Sequence, residues 1–278
     1  MAGIIDAHQH FWRLARGDYG WLTRDFEPLY RDFMPADLLP LMRANGVVGT
    51  VLVQAAPTEA ETRFLLDIAD AHPFVRGVVG WTDFEAADVP ERIAALAAHP
   101  RLVGLRPMVQ DLGDDDWLLR DDLAPAFRAV VEHDLAFDAL VLPRHLPRLA
   151  ALRDRHPDLR IVVDHGAKPA ISDRLYEAWA ADIAAIAADG RSVCKLSGLA
   201  TEAGPEWTPD RLRPYVGHLL ECFGPRRLIF GSDWPVLTLV GSYDDWISAV
   251  HGYLAPLPSD DRAAVLGGNA VRVYRLDR

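Results

Sequence analysis

The sequence predicts an α/β fold, a TIM-like (β/α)8 barrel with an extra C-terminal helix. Three observations carry this. Eight short β-type runs recur along the chain, most of them apolar without alternation, as parallel strands buried on both faces are. Helical patterns with their own start and stop signals separate these runs. The length, 278 residues, fits one large barrel.

The elements follow in order. The predicted strands cover residues 4–7, 47–54, 74–81, 102–106, 136–141, 160–164, 192–197 and 227–231. Residues 11–33 carry no clear pattern and are expected to form a loop over the first strand. Gly46 stands where the helix before the second strand should stop, and Gly190 does the same before the seventh. Thr58 and Glu61 have the spacing of a capping box, which starts a helix after the second strand. Asp88 and Glu91 repeat that spacing, with Asp88 as the cap. The alanine-rich stretch 177–188 is a strong helix former. Residues 243–254 and 260–271 read as closing helices after the last strand. No linker or low-complexity tract divides the chain, so residues 1–278 are expected to form one domain.

Forty acidic against 29 basic residues leave a net charge of −11. That balance repels phosphate backbones and argues against nucleic acid as a partner. No apolar run approaches the roughly 18 residues of a membrane span. No basic region followed by an apolar stretch marks a signal peptide. A soluble cytoplasmic protein is the expectation, and barrels of this size often associate as homo-oligomers. The two cysteines, Cys194 and Cys222, read as reduced core residues.

Active sites of such barrels are built at the carboxyl ends of the strands. His8 and His10 follow the first strand here. Gln54 ends the second, Trp81 the third and Arg106 the fourth. His145 lies in the loop after the fifth. The sixth runs into Asp164-His165-Gly166-Ala167-Lys168, the seventh carries Lys195 and Ser197, and the eighth leads to Asp233-Trp234-Pro235. Residues two apart on a strand face the same side, so His8 and His10 point together into the mouth. Such a pair can share a metal ion or a substrate oxygen. Three histidine–proline pairs, at His72, His99 and His156, are better read as helix-end caps. No G-x-S-x-G elbow surrounds Ser197, which argues against a serine hydrolase.

The segments DAHQHFW, GWTDF, GLRP, VVDHGAKP, CKLSGL and FGSDWPV together resemble the amidohydrolase superfamily, and within it the sugar-lactonase branch. The resemblance runs through nearly the whole chain. It implies hydrolysis of a small-molecule sugar lactone, an aldonolactone such as L-fucono- or L-rhamnonolactone. It also implies His8, His10, His165 and Asp233 as the core catalytic set. The superfamily often holds one or two divalent ions. A binuclear site needs a bridging lysine or glutamate on the fourth or fifth strand, and neither stands at those mouths. The expectation is therefore no required metal or one, zinc or manganese, on His8, His10, His165 and Asp233. The permanent charge of Arg106 opposes that ion.

Lactone hydrolysis needs an activated water, a polarised carbonyl and a proton for the leaving oxygen. Asp233 is the expected general base. Without a metal, His8, His10, His165 or Arg106 would face the developing oxyanion. Either His165 or His145 would protonate the leaving oxygen. Arg106, Gln54, His145, Lys168 and Lys195 are the expected polar grips on substrate, and Trp12, Trp81 and Trp234 its platforms. The alternative activity is a metal-dependent decarboxylase of an aromatic or related carboxylic acid. A barrel that binds sugar acids without catalysis is a third reading, against which the intact histidine and aspartate set argues.

Overall fold

The computed structural model describes residues 3–277 of the chain. All eight expected runs form strands: β1 Ile4–Gln9, β2 Val47–Val53, β3 Val75–Gly80, β4 Leu102–Leu105, β5 Ala136–Ala139, β6 Arg160–Val163, β7 Val193–Leu196 and β8 Leu228–Phe230. Each pairs in parallel with the next, in the order β1 to β8. The last seam, between β8 and β1, closes at the mouth. There Gln9 bridges Trp234, the Asp233 N–H donates to the His8 carbonyl at 2.8 Å, and the His10 N–H donates to the Trp234 carbonyl at 2.8 Å. Below this bridge Asp6 accepts from the Ser232 N–H (2.8 Å), the Ser232 hydroxyl (2.6 Å) and the Tyr243 hydroxyl (3.0 Å).

The surrounding helices are α1 Pro35–Ala44, α2 Glu59–Ala71, α3 Val89–Ala97, α4 Ala124–Glu132, α5 Leu146–Arg155, α6 Glu177–Ala187, α7 Leu199–Ala203, α8 Pro209–Phe223 and α9 Tyr243–Leu254. The expected final helix is more complex. It runs as α10 Ser259–Ala263, a π turn Ala264–Gly268 and α11 Asn269–Tyr274. Among the described residues no helix is long and apolar enough to cross a membrane.

Two start signals behave differently from expectation. Thr58 caps α2 by accepting from the Glu61 N–H at 3.1 Å. The Glu61 carboxylate does not return to Thr58; it turns inward and accepts from the Ala55 and Ala56 N–H groups at 2.9 Å each. Those strand-end donors are buried, so they outcompete a solvent-facing cap. Asp88 precedes α3 without capping it, because its carboxylate pairs with the Arg92 Nε at 2.6 Å.

Side chains of alternate strand residues fill the barrel. Ile5, Ala7, Val51, Val53, Val79, Ala136, Val162, Val193 and Ile229 form this inner cluster. Val273, Tyr274 and Leu276, on and just after α11, plug it from the amino end of the strands. A larger apolar layer lies between strands and helices. Residues 11–33 fold back over the mouth as a packed loop with short 3-10 turns at Leu14–Arg16 and Glu27–Leu29. Trp12 anchors it. Its indole is fully buried against Tyr19, Trp21 and Phe33, and donates to the Arg31 carbonyl at 2.8 Å.

Candidate active site

The inner residues of the strands change from apolar to charged as they approach the mouth. Two residues beyond Ala136, Val162 and Val193 come Asp138, Asp164 and Lys195, on the same inner face. All three are fully buried. The Lys195 Nζ lies 2.6 Å from Asp138 Oδ2, 3.0 Å from Asp164 Oδ1 and 3.1 Å from His8 Nδ1. The Tyr274 hydroxyl reaches up from the plug and donates to Asp138 at 2.8 Å. Asp164 also receives Arg106 Nη1 at 3.1 Å. Burial would push the Asp164 carboxyl up, but Lys195, then His8 and Arg106, overrule it and hold it well below the usual carboxylate range.

His8 stands above this network. A bulge in β1 between Asp6 and Gln9 interrupts the alternation, so Ala7 joins the inner cluster and His8 still reaches Lys195. The ring has room because Gly231 faces it, and a Cβ there would meet the His8 Cβ at 2.7 Å. His8 Nε2 lies 3.3 Å from Arg106 Nη1 and 3.7 Å from Asp233 Oδ1. Burial, then the charge of Lys195, holds the His8 imidazole well below its ordinary pKa, so it is neutral near pH 7.

Three imidazoles converge on Asp233. His10 Nε2 is 3.3 Å from its Oδ1 and His165 Nε2 is 3.9 Å away. His10 Nδ1 lies 2.8 Å from the Val53 carbonyl, which can only accept, so Nδ1 carries a proton. The contact between His10 Nε2 and Asp233 then needs a second proton, or a cation, to join two acceptors. Burial would raise the Asp233 carboxyl; His165, His10 and His8 outweigh it and keep it far below the usual range. His165 Nδ1 lies 2.9 Å from the Ser197 hydroxyl, and burial pushes the imidazole down to about 4. Residues His165 to Lys168 all have positive φ, between 51° and 62°. This left-handed turn costs roughly 1–2 kcal/mol per non-glycine residue. It aims both His165 and Lys168 at one cavity, a placement of strain typical of functional sites.

That cavity, of about 280 Å³, is lined by His10, Arg106, His165, Lys168 and Asp233 among the expected residues. His8 lies at its edge through Asp233. Lys168 Nζ donates to Gln110 Oε1 at 2.9 Å and lies 3.4 Å from Glu202. The other expected residues stand elsewhere. Lys195 is not a grip on substrate, being enclosed by its three partners. Gln54 is buried and clamps Arg106, donating to its carbonyl at 2.7 Å and accepting from Nη2 through its own. His145 is away from the cavity, with Nδ1 accepting from the Leu142 N–H at 3.1 Å and Nε2 3.3 Å from Asp115. Of the two expected proton donors, His165 lines the cavity and His145 does not. Trp12 and Trp234 are buried in the packing of the overlying loop, Trp234 edge-on to Phe33 and Phe11. Trp81 lines a separate hollow next door. Sequence reasoning missed Asp138, Trp21 and Gln110, and placed Asp164 at the sixth strand's end without giving it a role. An acidic residue inside the apolar run FDAL and a lysine inside CKL were the available signal for the first.

His8, His165 and Asp233 form a cluster that can hold a metal ion, with ligand atoms all within 4.8 Å of one another. Two imidazoles and a carboxylate suit one divalent ion. Lys195 behind His8 Nδ1 and Ser197 behind His165 Nδ1 supply the outer hydrogen bonds that orient such ligands. His10 lies outside the cluster, and Arg106 competes for His8 Nε2.

The sequence profile of a family described as Amidohydrolase matches residues 5–276. A curated L-fucono-1,5-lactonase from Burkholderia ambifaria is 50% identical over all of this chain and 97% of its own length. Another from Burkholderia multivorans is 38% identical, covering 98% of this chain and 96% of that one. The crystal structure of an amidohydrolase from Burkholderia multivorans with bound zinc superposes with a TM-score of 0.93, at 37% identity and 99% coverage of both chains.

Replacing Lys195 by Met leaves Asp138 without a counter-ion, beside an Asp164 that keeps only Arg106. The unfolding free energy in denaturant should fall by about 3–5 kcal/mol, and a loss under about 1 kcal/mol would contradict the arrangement. His165 binds its proton near pH 6.5 when unfolded but only near 4 when folded. Its contribution is complete above pH 6.5 and is lost as pH falls through 4, about 3 kcal/mol in all. Between those pH values wild type should therefore lose that much more stability than His165→Gln. Parallel curves would show that His165 does not titrate this way.

Proposed function

The chain belongs to the amidohydrolase family, and on that premise we propose that it opens the ester ring of a sugar-acid lactone by attack of water. The observation that carries the reading is one buried carboxylate, Asp233, set among three imidazoles at a cavity that also presents Arg106 and Lys168. The relatives named L-fucono-1,5-lactonase, 50% and 38% identical, make L-fucono-1,5-lactone the first substrate to try. They also favour this reading over the decarboxylase.

Asp233 stays ionised throughout the working pH range and orients a water by accepting its proton. The water oxygen bonds to the lactone carbonyl carbon. Negative charge then grows on the carbonyl oxygen, and the fixed cation Arg106 on the cavity wall stabilises it. Arg106 is held for this by Gln54 and Asp164. Collapse breaks the bond to the ring oxygen, which takes a proton. Asp233 returns the proton it took to that oxygen, directly or across His165 Nε2, 3.9 Å away. The product is an open sugar acid, and Asp233 is ionised again. A single divalent ion, zinc or manganese, would be held by His8, His165 and Asp233 and would polarise the carbonyl and acidify the water. Lys168, with Gln110 and Glu202 around it, grips sugar hydroxyls in the same cavity. The same proposal places the enzyme in the cytoplasm, where its two unpaired thiols stay reduced.

Proton release from L-fucono-1,5-lactone, corrected for spontaneous opening, tests this. Asp233→Asn should lower kcat by about 10²–10⁴-fold with an unchanged unfolding transition. Turnover by the variant at the parent rate would remove Asp233 from the chemistry.

A further inference from the structure

Beside the reacting cavity lies a second hollow of about 470 Å³, a size usual for small-molecule sites. It opens at the carboxyl ends of β3 and β4. The two hollows share Trp21, Met108 and Asp111 as a common wall.

The chemistry of the two differs. The reacting cavity presents Arg106 and Lys168. The second is lined by no arginine, lysine or histidine among the described residues. Its aromatic walls are Trp21, Trp81, Trp117 and Phe84, and its rim carries Asp18, Asp83, Glu85 and Asp111; Asp18 and Glu85 are paired with Arg16 (2.7 Å) and Arg120 (2.9 Å) behind the rim, so Asp83 and Asp111 are the carboxylates open to a ligand. The lining offers an anion no cation to pair with. Aromatic faces pack against the C–H faces of a sugar ring, and carboxylates accept hydrogen bonds from its hydroxyls. Trp21 and Trp117 spend their indole N–H on Ala55 O (2.7 Å) and Glu85 Oε1 (2.8 Å). The half-buried Trp81 indole N–H donates to no group among the described residues, so it is available to a ligand. Trp81 thus belongs to this hollow and not to the reacting one.

We propose that the second hollow is a glycosyl subsite, taking a neutral sugar ring linked to the lactone held in the first. This rests on the lactone-hydrolysis reading and narrows its substrate class to aldonolactones that carry a glycosyl substituent.

The test uses a panel of glycosylated aldonolactones, made by oxidising reducing disaccharides, each assayed beside its own unsubstituted lactone. At least one glycosylated lactone should show a kcat/KM about tenfold above its parent. Trp117→Leu should abolish that excess while leaving the unsubstituted lactone within about twofold of wild type. Asp83→Ala, a change at an exposed rim position, should reduce the excess and serves if Trp117→Leu does not fold. A panel in which no glycosylated lactone exceeds its parent overturns the proposal, as does an excess that survives both substitutions. If no lactone of either kind is hydrolysed, the lactonase reading fails instead. The subsite is then tested by indole fluorescence, using the neutral disaccharide alcohols as probes. Saturable quenching that Asp83→Ala weakens supports it. No quenching, or quenching only by tetramethylammonium, rules out a sugar site.

Discussion

A lysine ammonium sealed inside the barrel organises the site. Lys195 on β7 has three N–H bonds and meets three acceptors: Asp138 on β5, Asp164 at the end of β6 and His8 on β1. Asp164 passes the connection to Arg106 beyond β4, and Arg106 to Gln54 beyond β2. Tyr274 extends it down to the plug through Asp138. One network of charge and hydrogen bonds therefore ties most of the strands to each other just beneath the reacting cavity. Burying such charges gains little stability over an apolar core, whereas removing one partner is costly. What the network supplies is position: it fixes His8 and Arg106 at the floor of the mouth.

Within the Lys195 network and the site above it, three buried carboxylates, Asp138, Asp164 and Asp233, face two buried cations, Lys195 and Arg106; the buried Asp6 and Glu61 are held apart by backbone N–H and hydroxyl donors. The excess carboxylate leaves room for one more positive charge beside Asp233. A proton shared with His10 or a divalent ion on His8, His165 and Asp233 would each supply it. The closing seam between β8 and β1 makes this arrangement rigid, because the Asp233 N–H and the His8 carbonyl are themselves hydrogen-bond partners. The Asp233 carboxylate and the His8 imidazole are thus joined through the backbone as well as through their side chains.

Much of this was legible in the sequence for a simple physical reason. Parallel strands read as apolar runs, and polar residues just past such runs must lie at the mouth. That placed His8, His10, Arg106, His165, Lys168 and Asp233. The same logic failed where direction, not position, decides. Trp12, Trp234 and His145 sit near the mouth, yet their rings turn into loop packing or towards Asp115. Asp138 was passed over because it lies inside a strand, where a charge needs a partner, and its partner is 57 residues away in Lys195. The β1 bulge lies outside any period-2 pattern, so the joint inward placement of Ala7 and His8 was not readable. Trp21 and Gln110 belong to loops whose course depends on packing.

The central claim is hydrolysis by water attack on a lactone carbonyl. It is tested most directly by turnover of L-fucono-1,5-lactone in ¹⁸O-labelled water, with enzymatic opening much faster than spontaneous opening. Mass spectrometry should find one ¹⁸O in the product carboxylate and none in its hydroxyl groups. Label in the ring-derived hydroxyl, or no acceleration over the protein-free rate, would contradict the account.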